Sequence, residues 1–284
     1  MTGTTAESEL DLTLRRFKAE AKYNTVTTPR YRCRYFVWGS GPPLLFIHGL
    51  TDRAISFVRP MARLVDRFTC IGFDLAEGSG DGARIGAYRH RHHVEDLIFL
   101  LDHLSYDCVN LLGSSYGSTI ALRALGTYPK RFLRCILQGG FARRPLHWYE
   151  RGPARATRFW PGRLREVPGR SVVLARLDGP QFAGAPPDVY SFFLNCTEST
   201  PIRALTRRAL VLDRLDLRLW LPDILQPVLL LGGDDDRIVP MSCETALESG
   251  LPNVRRVVIV RCGHYPQYTH PGQMTDAIAS FLLP

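Results

Sequence analysis

Short apolar runs alternate with stretches of helical spacing along most of this 284-residue chain, and that alternation restricts the fold more than any other feature. Leu44–Ile47, Phe68–Phe73, Cys108–Leu112, Arg134–Leu137, Val228–Leu231 and Val254–Val260 are mostly apolar and have the length of strands buried on both faces. Tyr31–Trp38, aromatic and β-branched and followed by Gly-Ser-Gly-Pro-Pro, reads as a further strand and turn. Helical patterns fall between the strands at Ala54–Asp66, Val94–Leu104, Tyr116–Thr127, Met241–Leu247 and Gln273–Leu283. Such alternation requires right-handed crossovers, so the expected class is α/β: a doubly wound, mostly parallel sheet with helices on both faces. Between about 142 and 222 the alternation lapses, and helix-like segments occur around Pro186–Leu194 and Ile202–Leu212 without a clear strand. The expected organisation is an N-terminal extension (1–30), a core domain (31–141 and 223–284) and an inserted helical cap (142–222). The cap would lie over the carboxyl edge of the sheet, where doubly wound folds bind ligands.

No run of about 18 apolar residues is present, so no membrane span is expected. Met1 to Lys22 is polar and does not read as a signal peptide. Seven cysteines, an odd number without metal spacing and with four in expected strands, fit small buried hydrophobes in a reducing cytoplasm. The formal charge is +9, and its excess is local: Ala142 to Arg176 holds nine Arg against two Glu.

Chemistry concentrates at three strand ends. The run Cys108–Leu112 passes into Gly113-Ser114-Ser115-Tyr116-Gly117-Ser118 and then into a helical pattern. A Gly-x-Ser-x-Gly between strand and helix projects a serine hydroxyl from a strained turn, with the glycines removing Cβ atoms that would clash. Ser115 is therefore the candidate nucleophile. The helix that follows adds its positive end, and the N–H of Tyr116 is one candidate oxyanion donor. The second is the N–H of Leu50, in the His48-Gly49-Leu50 loop after Leu44–Ile47. His48 reads as a tie for that loop rather than as a catalytic group.

A serine hydroxyl needs a base, and the base an orienting carboxylate. His264 follows the last strand in Arg261-Cys-Gly-His-Tyr265 and is the candidate base, with His270 in reserve. His90, His92 and His93, in Arg89-His-Arg-His-His, read as a solvated helix entry ahead of a metal cluster. The acid lies among Asp234, Asp235 and Asp236, three carboxylates at the end of Val228–Leu231 that repel one another and can raise each other's pKa. No cofactor and no metal are implied.

From about Tyr31 to Leu283 these motifs resemble the α/β-hydrolase superfamily. His48-Gly49 is similar to its His-Gly loop, Gly113–Gly117 to its nucleophile elbow and Cys262-Gly263-His264 to its base loop. Gly233-Asp-Asp-Asp236-Arg-Ile-Val-Pro240 resembles its acid loop, and the resemblance implies Asp236 as the acid. Asp74–Gly80 departs from the family's Asp-x-Pro/Arg-Gly-x-Gly, which implies a rearranged loop.

The elbow Gly-Ser-Ser-Tyr-Gly-Ser-Thr-Ile-Ala resembles prolyl aminopeptidases, whereas the acid and base loops resemble carbon–carbon bond hydrolases of ring-cleavage products. Neither subfamily's oxyanion loop matches His48-Gly-Leu-Thr-Asp52. The expected activity is accordingly a carboxylesterase type on a small or medium acyl substrate. The two subfamily activities and a non-catalytic ligand receptor on the same fold are the alternatives. The expected partner is a small molecule, with no nucleic acid, for a monomer or homodimer. An anionic substrate is expected if Arg143, Arg144, Arg151, Arg155 or Arg158 faces the cleft, with His48, Gly49 and Trp148 as further substrate contacts. Tyr149, Phe159 and Trp160 would then add apolar walls.

Overall fold

The computed structural model describes residues 7–78 and 80–283. Among them, eight strands form one sheet: β1 Lys22–Thr27, β2 Arg32–Trp38, β3 Pro43–Ile47, β4 Thr69–Phe73, β5 Val109–Ser114, β6 Phe132–Gln138, β7 Val228–Gly233 and β8 Val254–Ile259. Their order is β1-β2-β4-β3-β5-β6-β7-β8. The pairs β1–β2 and β2–β4 are antiparallel, and all the others are parallel. The helices are α1 Glu9–Glu20, α2 Val58–Leu64, α3 His90–His103, α4 Tyr116–Thr127, α5 Trp148–Ala156, α6 Arg170–Leu177, α7 Pro187–Glu198, α8 Ile202–Leu212, α9 Met241–Gly250, α10 Pro266–Thr269 and α11 Pro271–Leu282. None is long and apolar enough to cross a membrane.

The continuous apolar strands are explained by burial on both faces. In β3, Leu44 and Phe46 pack with Phe17 of α1, Met61 of α2 and Met274 of α11, while Leu45 and Ile47 pack with α3 and α4. The same split recurs in β7, where Leu229 and Leu231 face one layer and Val228 and Leu230 the other.

Within the stretch expected as an extension, α1 docks on the sheet and β1 is its edge strand. Phe17 meets the rings of Phe36 and Trp38 edge-on at 4.8 and 5.1 Å, and Trp38 Nε1 donates to Glu20 at 2.9 Å. In β1 only Val26 is buried, so the strand carries little hydrophobic signal. Between β6 and β7 lie α5 to α8 and no strand among the described residues. There α7 runs four residues past its expected end, and α8 has its expected bounds. Two helices in that segment escape sequence patterning. Gly152 and Pro153 interrupt α5, and α6 has no buried residue.

In the departing loop 74–80, Ser79 lies outside the described residues. Asp81 closes the loop by accepting the N–H groups of Glu77, Gly78 and Ala83.

Candidate active site

β5 extends to Ser114 and delivers Ser115 to a backbone conformation of φ +52° and ψ −116°, with α4 beginning at the next residue. A residue with a Cβ rarely adopts that φ, so the turn stores strain that its surroundings must hold. They do so closely: a Cβ on Gly113 would sit 2.5 Å from Gly117 O, and one on Gly117 2.3 Å from Ile47 O. The Ser115 N–H donates to Gln138 O at 2.8 Å, tying the turn to the end of β6. The His48–Leu50 loop lies against it, since a Cβ on Gly49 would stand 3.6 Å from Ser115 Cβ. Leu50 and Ser115 line the same cavity.

His264 and Asp236 are both buried, and His264 Nδ1 meets Asp236 Oδ2 at 2.7 Å. The other oxygen, Oδ1, accepts the N–H groups of Ile238 and Val239 at 2.8 and 2.9 Å. Burial pushes the Asp236 carboxyl up, but the His264 charge, the His264 bond and these two N–H groups outweigh it and hold it below the usual range. An ionised Asp236 fixes the proton on Nδ1 and leaves Nε2 as the basic atom.

The three adjacent carboxylates separate to different partners. Asp235 turns outward to Arg237 at 3.1 Å. Asp234 accepts the Cys262 N–H at 3.1 Å and is held low by the backbone N–H groups of Arg261 and Cys262.

Two residues that sequence reasoning passed over join these loops. Gln138, the last residue of β6, is buried; its Nε2 donates to His264 O at 3.0 Å and its Oε1 accepts the Ser114 hydroxyl. Its only signal was a polar residue closing an apolar run before Gly139-Gly140. Gly139, with φ +52°, leaves room for the His264 ring, because a Cβ there would lie 2.8 Å from His264 Cε1. The segment between β6 and β7 reaches the same loops. Gln181 Oε1 accepts the His264 N–H at 2.7 Å, Tyr265 OH donates to Asp178 at 2.7 Å, and Thr200 donates to Thr51 O at 2.5 Å.

His48 ties its loop as expected: Nδ1–H donates to Gly49 O at 2.9 Å, and Nε2 accepts the Leu75 N–H at 3.0 Å. Burial, then the Arg208 charge, push its pKa down to about 4, so it is neutral near pH 7. The His90–His93 run is not a solvated helix entry. His90 and His93 are buried edge-on against Tyr116, and His90 Nε2 is 2.9 Å from Thr119 Oγ1. Among the described residues no three His, Cys, Asp or Glu side chains group to hold a metal. The reserve base, His270, bonds its neighbour Thr269 at 2.8 Å.

A cavity of about 310 Å³ opens above Ser115, walled by Phe141, Leu146, Leu205, Leu212 and Val239 among others. Arg144 and Glu150 are the charged side chains among its described lining residues, and they pair at 2.9 Å. Burial raises Glu150, but the Arg144 bond and the His147 N–H bring it below its ordinary value. Of the five arginines expected to offer a residue to the cleft, Arg144 lines the cavity, and it does so paired with Glu150. Arg143 pairs with Asp216 and Arg151 with Asp213, while Arg155 and Arg158 border a separate recess with Arg207 and Arg214. Trp148, Tyr149, Phe159 and Trp160 are exposed rather than walls of the cavity, Trp148 at 83%. Salt bridges to Asp213 and Asp216, which lie outside the Arg-rich stretch, decide this arrangement, and charge counting within the stretch missed them.

Residues 42–271 match the family model of the alpha/beta hydrolase fold. The chain is 26% identical over 263 residues to a 2-(acetamidomethylene)succinate hydrolase of Mesorhizobium japonicum, covering 86% of this chain and 89% of that one. To a 2-hydroxymuconate semialdehyde hydrolase of Pseudomonas putida it is 27% identical over 268 residues, covering 89% and 91%. Its fold is similar to that of a thermophilic esterase from Thermogutta terrifontis, with a TM-score of 0.80, 24% identity and coverage of 92% and 98%.

Proposed function

The chain is a hydrolase of the α/β-hydrolase fold family, and from that premise we propose that it cleaves esters of a small or medium, uncharged acyl group through an acyl-enzyme on Ser115. The observation that carries this reading is the buried His264–Asp236 pair, 2.7 Å apart, with the His264 loop tied by Gln138 to the strained Ser115 turn. Ser115 Oγ attacks the ester carbonyl while His264 Nε2 takes its proton, and Asp236 stays ionised to stabilise the imidazolium. The oxyanion of the tetrahedral intermediate accepts the N–H groups of Tyr116 and Leu50, donors worth about 3–4 kcal/mol each. Collapse expels the alcohol, protonated by His264. Water then attacks the acyl-serine with His264 again as base, releasing the acid and restoring Ser115.

The apolar walls around one neutralised ion pair favour an uncharged acyl or alcohol group. Carbon–carbon bond hydrolysis is a second reading, favoured by the acid and base loops and by the similarity to the semialdehyde hydrolase. All seven cysteines are free, which supports a reducing compartment.

The test is turnover of p-nitrophenyl butyrate and of a ring-cleavage dienoate by wild type and Ser115→Ala. Ester turnover that falls on the order of 10⁶-fold in the folded variant is the expected result. Wild-type ester activity in pure Ser115→Ala protein refutes the site; dienoate turnover alone selects the second reading; no turnover of either by wild type selects a receptor.

A further inference from the structure

We propose that Arg208, carried by α8 on the far side of the substrate cavity, is a positioning residue for the oxyanion donor Leu50. The inference rests on the serine-hydrolase reading of the site.

Leu50 presents its N–H from the peptide that joins it to Gly49, and its carbonyl belongs to the next peptide. In a trans peptide the N–H and C=O point in opposite directions, so whatever holds one fixes the aim of the other. His48 Nδ1–H holds Gly49 O at 2.9 Å, and Arg208 holds Leu50 O at 2.7 Å through one terminal nitrogen. Both peptides flanking Leu50 are thus pinned through their carbonyls. The other terminal nitrogen of Arg208 reaches Leu75 O and Ala76 O at 3.2 and 3.0 Å. The Leu75 N–H is in turn the donor to His48 Nε2, at 3.0 Å. One guanidinium therefore restrains the oxyanion loop directly and, through Leu75, the backbone that orients its other tie.

Burial argues that this restraint does more than fasten a helix. Arg208 is 1% exposed, its Nε has no hydrogen-bond partner among the described residues, and its three bonds go to neutral carbonyls. Burying a guanidinium on such terms is expensive, and an apolar side chain would fasten α8 to the core at lower cost. The directional, forked donor set is what an apolar residue cannot supply. Leu205, Thr206 and Ala209, beside Arg208 on α8, line the cavity. The helix that receives the acyl or alcohol group thus also sets the oxyanion geometry.

Arg208→Met and Arg208→Lys test this in the full chain, after circular dichroism and thermal melting show that they fold. With p-nitrophenyl butyrate, kcat is expected to fall roughly 10- to 100-fold in Arg208→Met with KM changed less than about threefold, as for a donor misplaced rather than removed. Arg208→Lys should recover part of the loss. A trifluoromethyl ketone of matching chain length adds to Ser115 Oγ and puts its oxyanion at the same donors, the Ser115 proton passing to His264. Its affinity should drop by the same factor as kcat, while the matching secondary alcohol, which has no oxyanion, binds unchanged. Equal losses for ketone and alcohol, a folded Arg208→Met with kcat within about twofold of wild type, or failure of both variants to fold would each overturn the proposal. Failure of the underlying reading is separate and visible in wild type alone, as no ester turnover and no ketone adduct on Ser115.

Discussion

Three consecutive aspartates with indistinguishable side chains take three different positions: one binds His264, one binds the Cys262 N–H and one turns outward to Arg237. Backbone direction alone separates them, because the chain turns after β7 and only Asp236 points at His264 Nδ1. The expected consequence is a large asymmetry between isosteric substitutions. Asp236→Asn should lower kcat on an activated ester by roughly 10⁴-fold, through the wrong imidazole tautomer and loss of charge stabilisation. Asp234→Asn keeps an oxygen that can accept the Cys262 N–H, and should change kcat only a few-fold. Steady-state kinetics of the two purified variants checks this, and losses of similar size would remove Asp236 from the acid role.

At the scale of elements, α3 and α4 meet through buried histidines rather than through apolar side chains alone. Burial, and after it the Arg123 charge, lowers the His90 pKa to about 3, against about 6.5 in an unfolded chain. Below pH 6.5 the unfolded state binds the proton that folded His90 refuses, so stability is present above 6.5 and declines as pH falls toward 3. At pH 5 the loss from this group is about 2 kcal/mol. His90→Gln removes the titration, and Gln can still donate to Thr119. The drop in unfolding free energy between pH 7 and pH 5, read from urea curves, should therefore be smaller than in wild type by about that amount. Equal drops in the two proteins would mean that His90 is hydrated or charged in the fold. His93, also buried and held low chiefly by burial, acts with the same sign, whereas Asp52, raised to about 6 by burial, opposes it. Comparing variant with wild type cancels the Asp52 contribution.

Across the whole molecule the net charge of +9 is not focused into the cavity. The Arg144 guanidinium that lines it pairs with Glu150, and the Asp213 and Asp216 bridges draw Arg151 and Arg143 to other partners. For two esters differing only in a distal carboxylate, the neutral one should have the higher kcat/KM at high salt, by about tenfold or more. The carboxylate would have to shed water into an apolar cavity without a free partner. At low salt the gap should narrow, since long-range attraction speeds encounter of the anion. A higher value for the anionic ester at high salt would show that the Arg144–Glu150 pair opens to receive it.

What the sequence by itself determined is local in origin. The period of the apolar runs set the strands and their sidedness, and the glycines around Ser115 announced a turn too tight for Cβ atoms. Each candidate residue also stood at a strand end, where a parallel sheet gathers its loops. The weakly patterned pieces were lost for the same reason: β1 buries one side chain, and α5 carries Gly152 and Pro153. Only the tertiary structure decided which partner each polar group found. Gln138 and Gln181 grip the His264 loop from positions 126 and 83 residues away, and Arg208 reaches Leu50 O across 158. Arg143 and Arg151 of the Arg-rich stretch pair with aspartates that follow it, at a turn and a helix end. Such pairings depend on distances that the fold creates and that no local pattern encodes.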